Sequence, residues 1–231
     1  MHVRWSPWAN RIGSSSQPRE EEVPAAIGSL GLQGLCGTLE AITGNVHVVI
    51  CVDTADMRSE SDKCKIESFM IAMRKHVLSK GRIYLTGGAT AVLHGWRSMT
   101  INIDIKPDPE PAGLFEAIAL LKEELGVNVE LASPDQFIPA LSGWRERSLF
   151  IAIHGLIEFF HYDPYGHALA KLQLGHERDL HDIHSFLQDG LIHKDRLREL
   201  FSMIEPQLIR HPAIDPAAFR AAVTQFHNES R

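Results

Sequence analysis

The strongest constraint in this chain is a strand-sized run, Thr100-Ile-Asn-Ile-Asp-Ile105, in which polar and apolar residues alternate. Side chains two apart leave a strand on the same side, so Ile101, Ile103 and Ile105 share one face and Asn102 and Asp104 the other. Such a strand belongs in a sheet with one buried face. Upstream, Arg82-Ile-Tyr-Leu-Thr86 is a short β-rich run, Gly87-Gly88 is a turn, and Ala89 to His94 returns to helical composition before Gly95. The unit reads as strand, di-glycine turn, short helix, strand.

The flanking sequence extends this pattern. Ile66, Phe69, Met70, Met73 and Val77 recur at helical spacing, which predicts an amphipathic helix over 65–79 that Gly81 ends. Leu114 to Leu125 predicts a helix with Leu114, Ile118, Leu121 and Leu125 on one face, and Val127 to Leu131 a strand. Ser133-Pro-Asp135 starts a turn or short helix. Leu149–His154 and Leu156–Tyr162 read as two strands around Gly155. Only helices follow: Pro164 to Leu174, about Arg178 to Gln188, then 194–209 bent or ended by Pro206, and 216–227. This order predicts an α+β fold, a mixed β-sheet with flanking helices and a C-terminal helical lobe. The α/β core is expected over 63–165 and the helical region over 166–231.

Residues 1–62 read differently. A Ser- and Glu-containing start leads into the Gly-rich stretch 27–37, and only Val46 to Val52 resembles a strand. Two accounts stay open: a poorly structured N-terminal extension, or a true start at Met57 with residues 1–56 lying upstream of it.

Composition bounds the function. With 231 residues, 44% of them hydrophobic, the chain can fill one sizeable core, or a core and a small helical lobe. A net charge of −6 supplies no global basic field for nucleic acid, so an RNA partner needs a local patch. The three cysteines, Cys36, Cys51 and Cys64, have no CxxC spacing, which fits a reducing cytoplasm. No apolar run approaches the ~18 residues of a bilayer span, so no membrane partner is expected. Walker A, GxGxxG and GxSxG motifs are absent from the sequence, which argues against a P-loop ATPase, a dinucleotide-binding dehydrogenase and an α/β-hydrolase.

The chemistry concentrates at the di-glycine turn. Glycines let a phosphate approach the backbone, and N–H groups opening the next helix point at it. Asn102 and Asp104, side by side on the next strand, are candidate Mg²⁺ ligands. A plain strand–turn–helix is the competing account.

The run Gly87-Gly-Ala…Gly95-x-Arg97…Thr100-x-Asn102-Ile-Asp104 resembles the nucleotidyltransferase signature, in which a Gly-Gly or Gly-Ser turn is followed by Asp-hydrophobic-Asp on a strand. It is similar in particular to AbiEii-type toxin nucleotidyltransferases and their bacterial relatives. A second element, Ala168-Leu-Ala-Lys171-Leu followed by Arg178-Asp-Leu-His-Asp182-Ile, matches the Lys and Arg-Asp-x-x-Asp elements of those families. The resemblance spans roughly 66 to 200. It implies a nucleotide site in which Gly87 and Gly88 cradle phosphates, Arg97, Thr100, Asp179 and Asp182 contribute to binding, Asp104 and Asn102 hold the metal, and Lys171 steadies the triphosphate.

The resemblance also implies a third carboxylate on a later strand. Glu158 is the candidate, with Asp163 as a competitor that would otherwise cap the helix opened by Pro164. The activity implied is transfer of a nucleotidyl group from an NTP to a hydroxyl of tRNA, another RNA or a protein. A toxin–antitoxin role would add a cognate antitoxin as partner. One departure favours a different outcome: Asn102 stands where the family has its first carboxylate, and an amide oxygen brings no negative charge. An impaired nucleotide- or protein-binding module is the alternative, and an interaction role for the helical tail is a third.

Other residues invite over-reading. His154, His161, His167, His176, His181 and His184 lack a metal-ligand spacing. Trp144-Arg-Glu-Arg147 reads as a surface loop or a phosphate-facing loop, and Trp96 as a packing anchor or a base-stacking ring.

Overall fold

The structure, a computed structural model, describes residues 39–43, 46–50 and 60–229. The chain divides into two units, Met1–Asp53 and Thr54–Arg231. In the first, β1 (Leu39–Thr43) and β2 (Val46–Ile50) pair antiparallel, Leu39 opposite Ile50 and Thr43 opposite Val46. The expected strand is present from Val46 to Ile50, and it has a partner that the sequence pattern did not show. The remainder of the expected extension, and the alternative start at Met57, lie outside the described residues.

The second unit begins earlier than position 63. β3 (Ser61–Asp62) pairs with β5 (Met99–Thr100), so Ser61 and Asp62 belong to the α/β core rather than to an extension. Asp62 then caps α1 (Lys63–Met73), its carboxylate accepting from the Lys65 N–H at 2.8 Å. α1 is shorter than its apolar spacing predicts. After Met73 the backbone turns away to serve the loop before the next long helix: the Leu78 N–H donates to the Ala112 carbonyl at 2.8 Å, and the Ala112 N–H donates to Ser79 Oγ at 2.8 Å.

The sheet has five strands: β4 (Gly81–Thr86), β6 (Asn102–Pro107), β7 (Asn128–Leu131), β8 (Leu149–His154) and β9 (Ile157–His161). Their order is β7-β6-β4-β9-β8. β4 sits at the centre, antiparallel to β6 and parallel to β9, while β7 runs parallel to β6 and β8 antiparallel to β9. The fold is thus mixed α+β. Ile83, Leu85, Ile103, Ile105, Val129, Ile157 and Phe159 supply the apolar face of the sheet. They pack with Ile66, Phe69, Met70 and Met73 of α1 and with Leu114, Ala117 and Leu121 of α3 (Leu114–Leu125).

The opposite face carries Tyr84, stacked among Trp144, Phe160 and Tyr162 with ring centroids 4.8, 5.3 and 6.4 Å away. Trp144 opens a four-residue helix, α4 (Trp144–Arg147), where the sequence reads as a loop. The aromatic cluster holds this turn in place: Trp144 is 7% exposed and stacks on Tyr162 at 4.7 Å.

A second core forms among α5 (Pro164–Leu174), α6 (Glu177–Gln188), α7 (Lys194–Ile204) and α8 (Pro216–Asn228), with Ile138 and Leu141 from the preceding loop. Asp163, fully buried, caps α5 through the Tyr165 N–H at 3.1 Å. Arg147 grips the same carboxylate, with Nη2 at 2.6 Å from Oδ2. Asp163 is therefore a structural cap rather than the competing third carboxylate. Among the described residues, no helix is long and apolar enough to cross a membrane.

Candidate functional site

β4 delivers the chain into Gly87 and Gly88, which open α2 (Gly87–Leu93). Thr86 and Asp104 are direct partners across β4 and β6, so the Asp104 side chain rises beside the turn. This juxtaposition explains both glycines. Gly87 has φ +55°, and a Cβ there would run into the Asp104 carboxylate; a Cβ on Gly88 would run into the Thr100 hydroxyl.

Two N–H groups expected to face a phosphate already have partners. The Gly87 N–H donates to His167 Nε2 at 3.2 Å, and the Gly88 N–H is hydrogen-bonded to Asp104. The turn accordingly serves first to seat a carboxylate and an imidazole.

Asp104 faces a cavity of about 350 Å³. Gly87, Gly88, Arg97, Thr100, Lys171 and Asp179 also line it. Asn102 lies just outside, in an adjoining hollow of about 680 Å³ that shares Arg97, Thr100 and Asp104 with the first. The Asn102 amide is committed to the neighbouring strand, its Oδ1 accepting from Asn128 Nδ2 at 2.7 Å.

The carboxylate nearest Asp104 in the sheet is Glu130. Asp104 and Glu130 are register partners on the parallel pair β6–β7, so both project from the same face. Burial first, and then the Glu130 charge, push the Asp104 pKa up to about 7, against the opposing pull of Lys171 and of the Gly88 N–H.

Glu158 does not take this place. It sits opposite Arg82 in the β4–β9 register and forms an ion pair with it, Nε to Oε2 2.7 Å. Arg82 is four residues before Thr86, which at ~3.3 Å per residue sets Glu158 about 13 Å from the turn. Glu158 has the correct face of the sheet but the wrong end of the strand. The expectation of a third carboxylate there is corrected: Glu130 occupies the position beside Asp104. Its signal was present in Asn128-Val-Glu130, the same polar-apolar-polar spacing as Asn102-Ile-Asp104.

Behind the cavity lies a charge network. Asp182, 1% exposed, accepts from Arg97 through Nε at 2.9 Å and Nη2 at 2.6 Å, and from Lys171 Nζ at 2.8 Å. Lys171 Nζ also meets Asp179 at 2.5 Å. Asp182 is therefore a buried organiser rather than a cavity wall. The Arg178 side chain lies outside the described residues.

Of the remaining sequence candidates, Trp96 is an anchor: Nε1 donates to Asp189 at 2.8 Å and the ring stacks on His94 at 4.6 Å. His161 and His167 are buried beneath the turn beside His94. Burial lowers the His161 pKa to about 3, and burial followed by the Lys171 charge holds His167 well below the ordinary value. An imidazole that accepts the Gly87 N–H at Nε2 is neutral there, in agreement with that shift. Among the described residues, no group of three His, Cys, Asp or Glu side chains is arranged to hold a metal by itself. Compared with known proteins, no family model, no curated protein and no solved structure matches the chain.

Proposed function

We propose that this chain is a metal-dependent nucleotidyltransferase acting from the cytoplasm, which binds an NTP with Mg²⁺ and passes a nucleotidyl group to a hydroxyl. The observation that carries this reading is the pair Asp104–Glu130, register partners beside a di-glycine turn at the wall of a cavity. Mg²⁺ is commonly held by one or two carboxylates and completed by substrate phosphates and water, so this pair fits it without a full protein cage. Bound there, the ion supplies positive charge that offsets the phosphates and the carboxylate repulsion.

The electrostatics favour a metal-complexed substrate. Asp104, Glu130 and Asp179 line the cavity against Lys171 and Arg97, and Asp182 neutralises both cations from behind. A bare triphosphate meets a wall without surplus positive charge; its metal complex does not carry the same penalty. Lys171 and Arg97 reach phosphate oxygens only by sharing or leaving their carboxylates. In the transfer, the acceptor hydroxyl oxygen forms the new bond to the α-phosphorus and gives up its proton to solvent, the bond from the α-phosphorus to the α–β bridging oxygen breaks, and pyrophosphate leaves. The adjoining hollow, which shares Asp104, Arg97 and Thr100 with the cavity, gives the acceptor a route to the same centre. An RNA or protein hydroxyl, and a toxin activity restrained by an antitoxin, follow from the resemblance of the motifs.

The test is transfer of radiolabel from α-labelled NTPs to RNA and protein acceptors. Wild type is expected to label an acceptor and Asp104→Ala to lose at least two orders of magnitude; equal background labelling in both disposes of the reading.

A second reading, a nucleotide-binding module without turnover, draws on Asn102. Its amide oxygen is already used by Asn128, so it adds neither charge nor a free ligand atom. Calorimetry with MgATP separates the two: this reading expects binding without transfer, and recovery of transfer in Asn102→Asp.

A further inference from the structure

The cavity beside Asp104 has two chemistries. α5 lines it with His167, Ala170, Lys171 and Leu174, residues spaced three or four apart on one helical face. His167 is bonded to the di-glycine turn, while Leu174 ends the helix about 10 Å further along at ~1.5 Å per residue. The cavity thus combines charged side chains, Asp104, Glu130, Lys171 and Asp179, with apolar ones on the same face of α5, Ala170 and Leu174.

Pro134, from the turn Pro134–Gln136, and the residue after that turn, Phe137, line the same cavity. Phe137 is 40% exposed and Leu174 39%, whereas the adjacent Ile138 is 1% exposed in the helical core. The fold buries the residue beside Phe137 and leaves the phenyl ring on the cavity wall.

We propose that Phe137, with Pro134, Ala170 and Leu174, forms the subsite for the nucleobase of the nucleotide whose phosphates meet the Asp104 end. This rests on the nucleotide reading given above. A ligand that suits this cavity has a metal-complexed phosphate part and a flat apolar part joined by a short spacer, and a magnesium-bound nucleotide has that form. Stacking on an aromatic ring accepts any base, because every base has a π-face. Reading of base edges is weak here, since nearby polar groups are engaged. Ser133 Oγ donates to Asp135 at 2.5 Å, Thr86 Oγ1 donates to the Ala132 carbonyl at 2.7 Å, and Gln136 Nε2 donates to the Leu131 carbonyl at 3.2 Å. The subsite therefore binds the base and discriminates little among the four.

The experiment is calorimetry on the full chain with Mg²⁺, comparing ATP, GTP, CTP and UTP with inorganic tripolyphosphate, which has no base. Wild type is expected to bind the four nucleotides within about threefold of one another and tripolyphosphate at least tenfold more weakly. Phe137→Ala is expected to weaken MgATP about tenfold and leave magnesium tripolyphosphate unchanged, with Phe137→Trp retaining affinity. Equal binding of ATP and tripolyphosphate by wild type, or a Phe137→Ala change shared by both ligands, overturns the base subsite while the phosphate site stands. A wild type that binds neither ligand removes the nucleotide reading itself. A preference above tenfold for one base overturns the stacking-only assignment.

Discussion

Asp104 shows how one carboxylate can be held against its own preference. Its pKa is raised to about 7 by burial and Glu130, so the metal-free fold favours the protonated form below that pH. For a carboxyl raised in the folded state, the associated stability is present below the unfolded pKa near 4 and is lost as pH rises through about 7. Two outcomes follow for thermal melts. Mg²⁺ is expected to raise Tm at pH 8 and to have little effect at pH 5, where the proton occupies the same carboxylate. Asp104→Asn is expected to raise metal-free stability at pH 8 by on the order of 1 kcal/mol, read as a higher Tm, and to abolish the Mg²⁺ response. A Mg²⁺ shift of equal size at both pH values places the ion elsewhere.

Asp182 carries a different burden. It is the buried anion shared by Arg97 and Lys171, and Asp182→Ala leaves both cations without it. Chemical denaturation is expected to show a loss of about 3–5 kcal/mol. Asp179, which lines the cavity and holds Lys171, competes in the proposed function with phosphate for that amine. Asp179→Asn is expected to tighten magnesium tripolyphosphate binding severalfold, a result that calorimetry reads directly.

At the scale of elements, the strand pair β4–β6 and the turn between β4 and α2 place the site. The period-two run predicts that Asn102 and Asp104 share a face, and the structure keeps them there, though the run breaks at Ile101 into β5 and β6. α3 matches its expected span from Leu114 to Leu125, because its own side chains define its face and Gly113 and Gly126, both at positive φ, end it. β8 and β9 likewise flank Gly155 as expected. Local pattern was less informative for α4, which depends on Trp144 finding Tyr84 and Tyr162, and for α1, whose last turn is diverted to Ala112. Gly88→Ala is an element-level test: the added methyl meets Thr100 at the junction of α2 and β5, and a Tm loss is expected from that collision, whereas the same change at Gly175, with open space but φ +71°, is expected to cost left-handed backbone strain alone.

At the scale of the molecule, one histidine beneath the turn, His167, ties the helical lobe to the sheet unit, and the other, His161, ties β9 to α2 within that unit. His161 on β9 bonds Thr90 on α2 at 3.2 Å, and His167 on α5 accepts from Gly87. Both are held neutral, with His161 down to about 3. For a group depressed in the fold, the stability is present above the unfolded pKa near 6.5 and is lost as pH falls toward the folded value. Acid unfolding is expected to set in below pH 6.5 and to be shallower in His161→Phe. Measuring Tm against pH in an Asp104→Asn background removes the opposing carboxylate contribution. Identical slopes with and without His161 locate the acid sensitivity elsewhere.

What the sequence determined by itself is local: helical and strand periods, the tight turn at Gly87-Gly88, and the shared face of Asn102 and Asp104, all set by backbone geometry over a few residues. What only the tertiary structure decided is which distant groups meet. Strand register put Glu130, not Glu158, beside Asp104; helix packing gave Lys171 to Asp179 and Asp182; and the loop around Phe137 became a cavity wall. Such choices depend on alignment between strands and on the docking of one helix against a sheet, and a single residue's shift in register would exchange the partners without altering any local pattern.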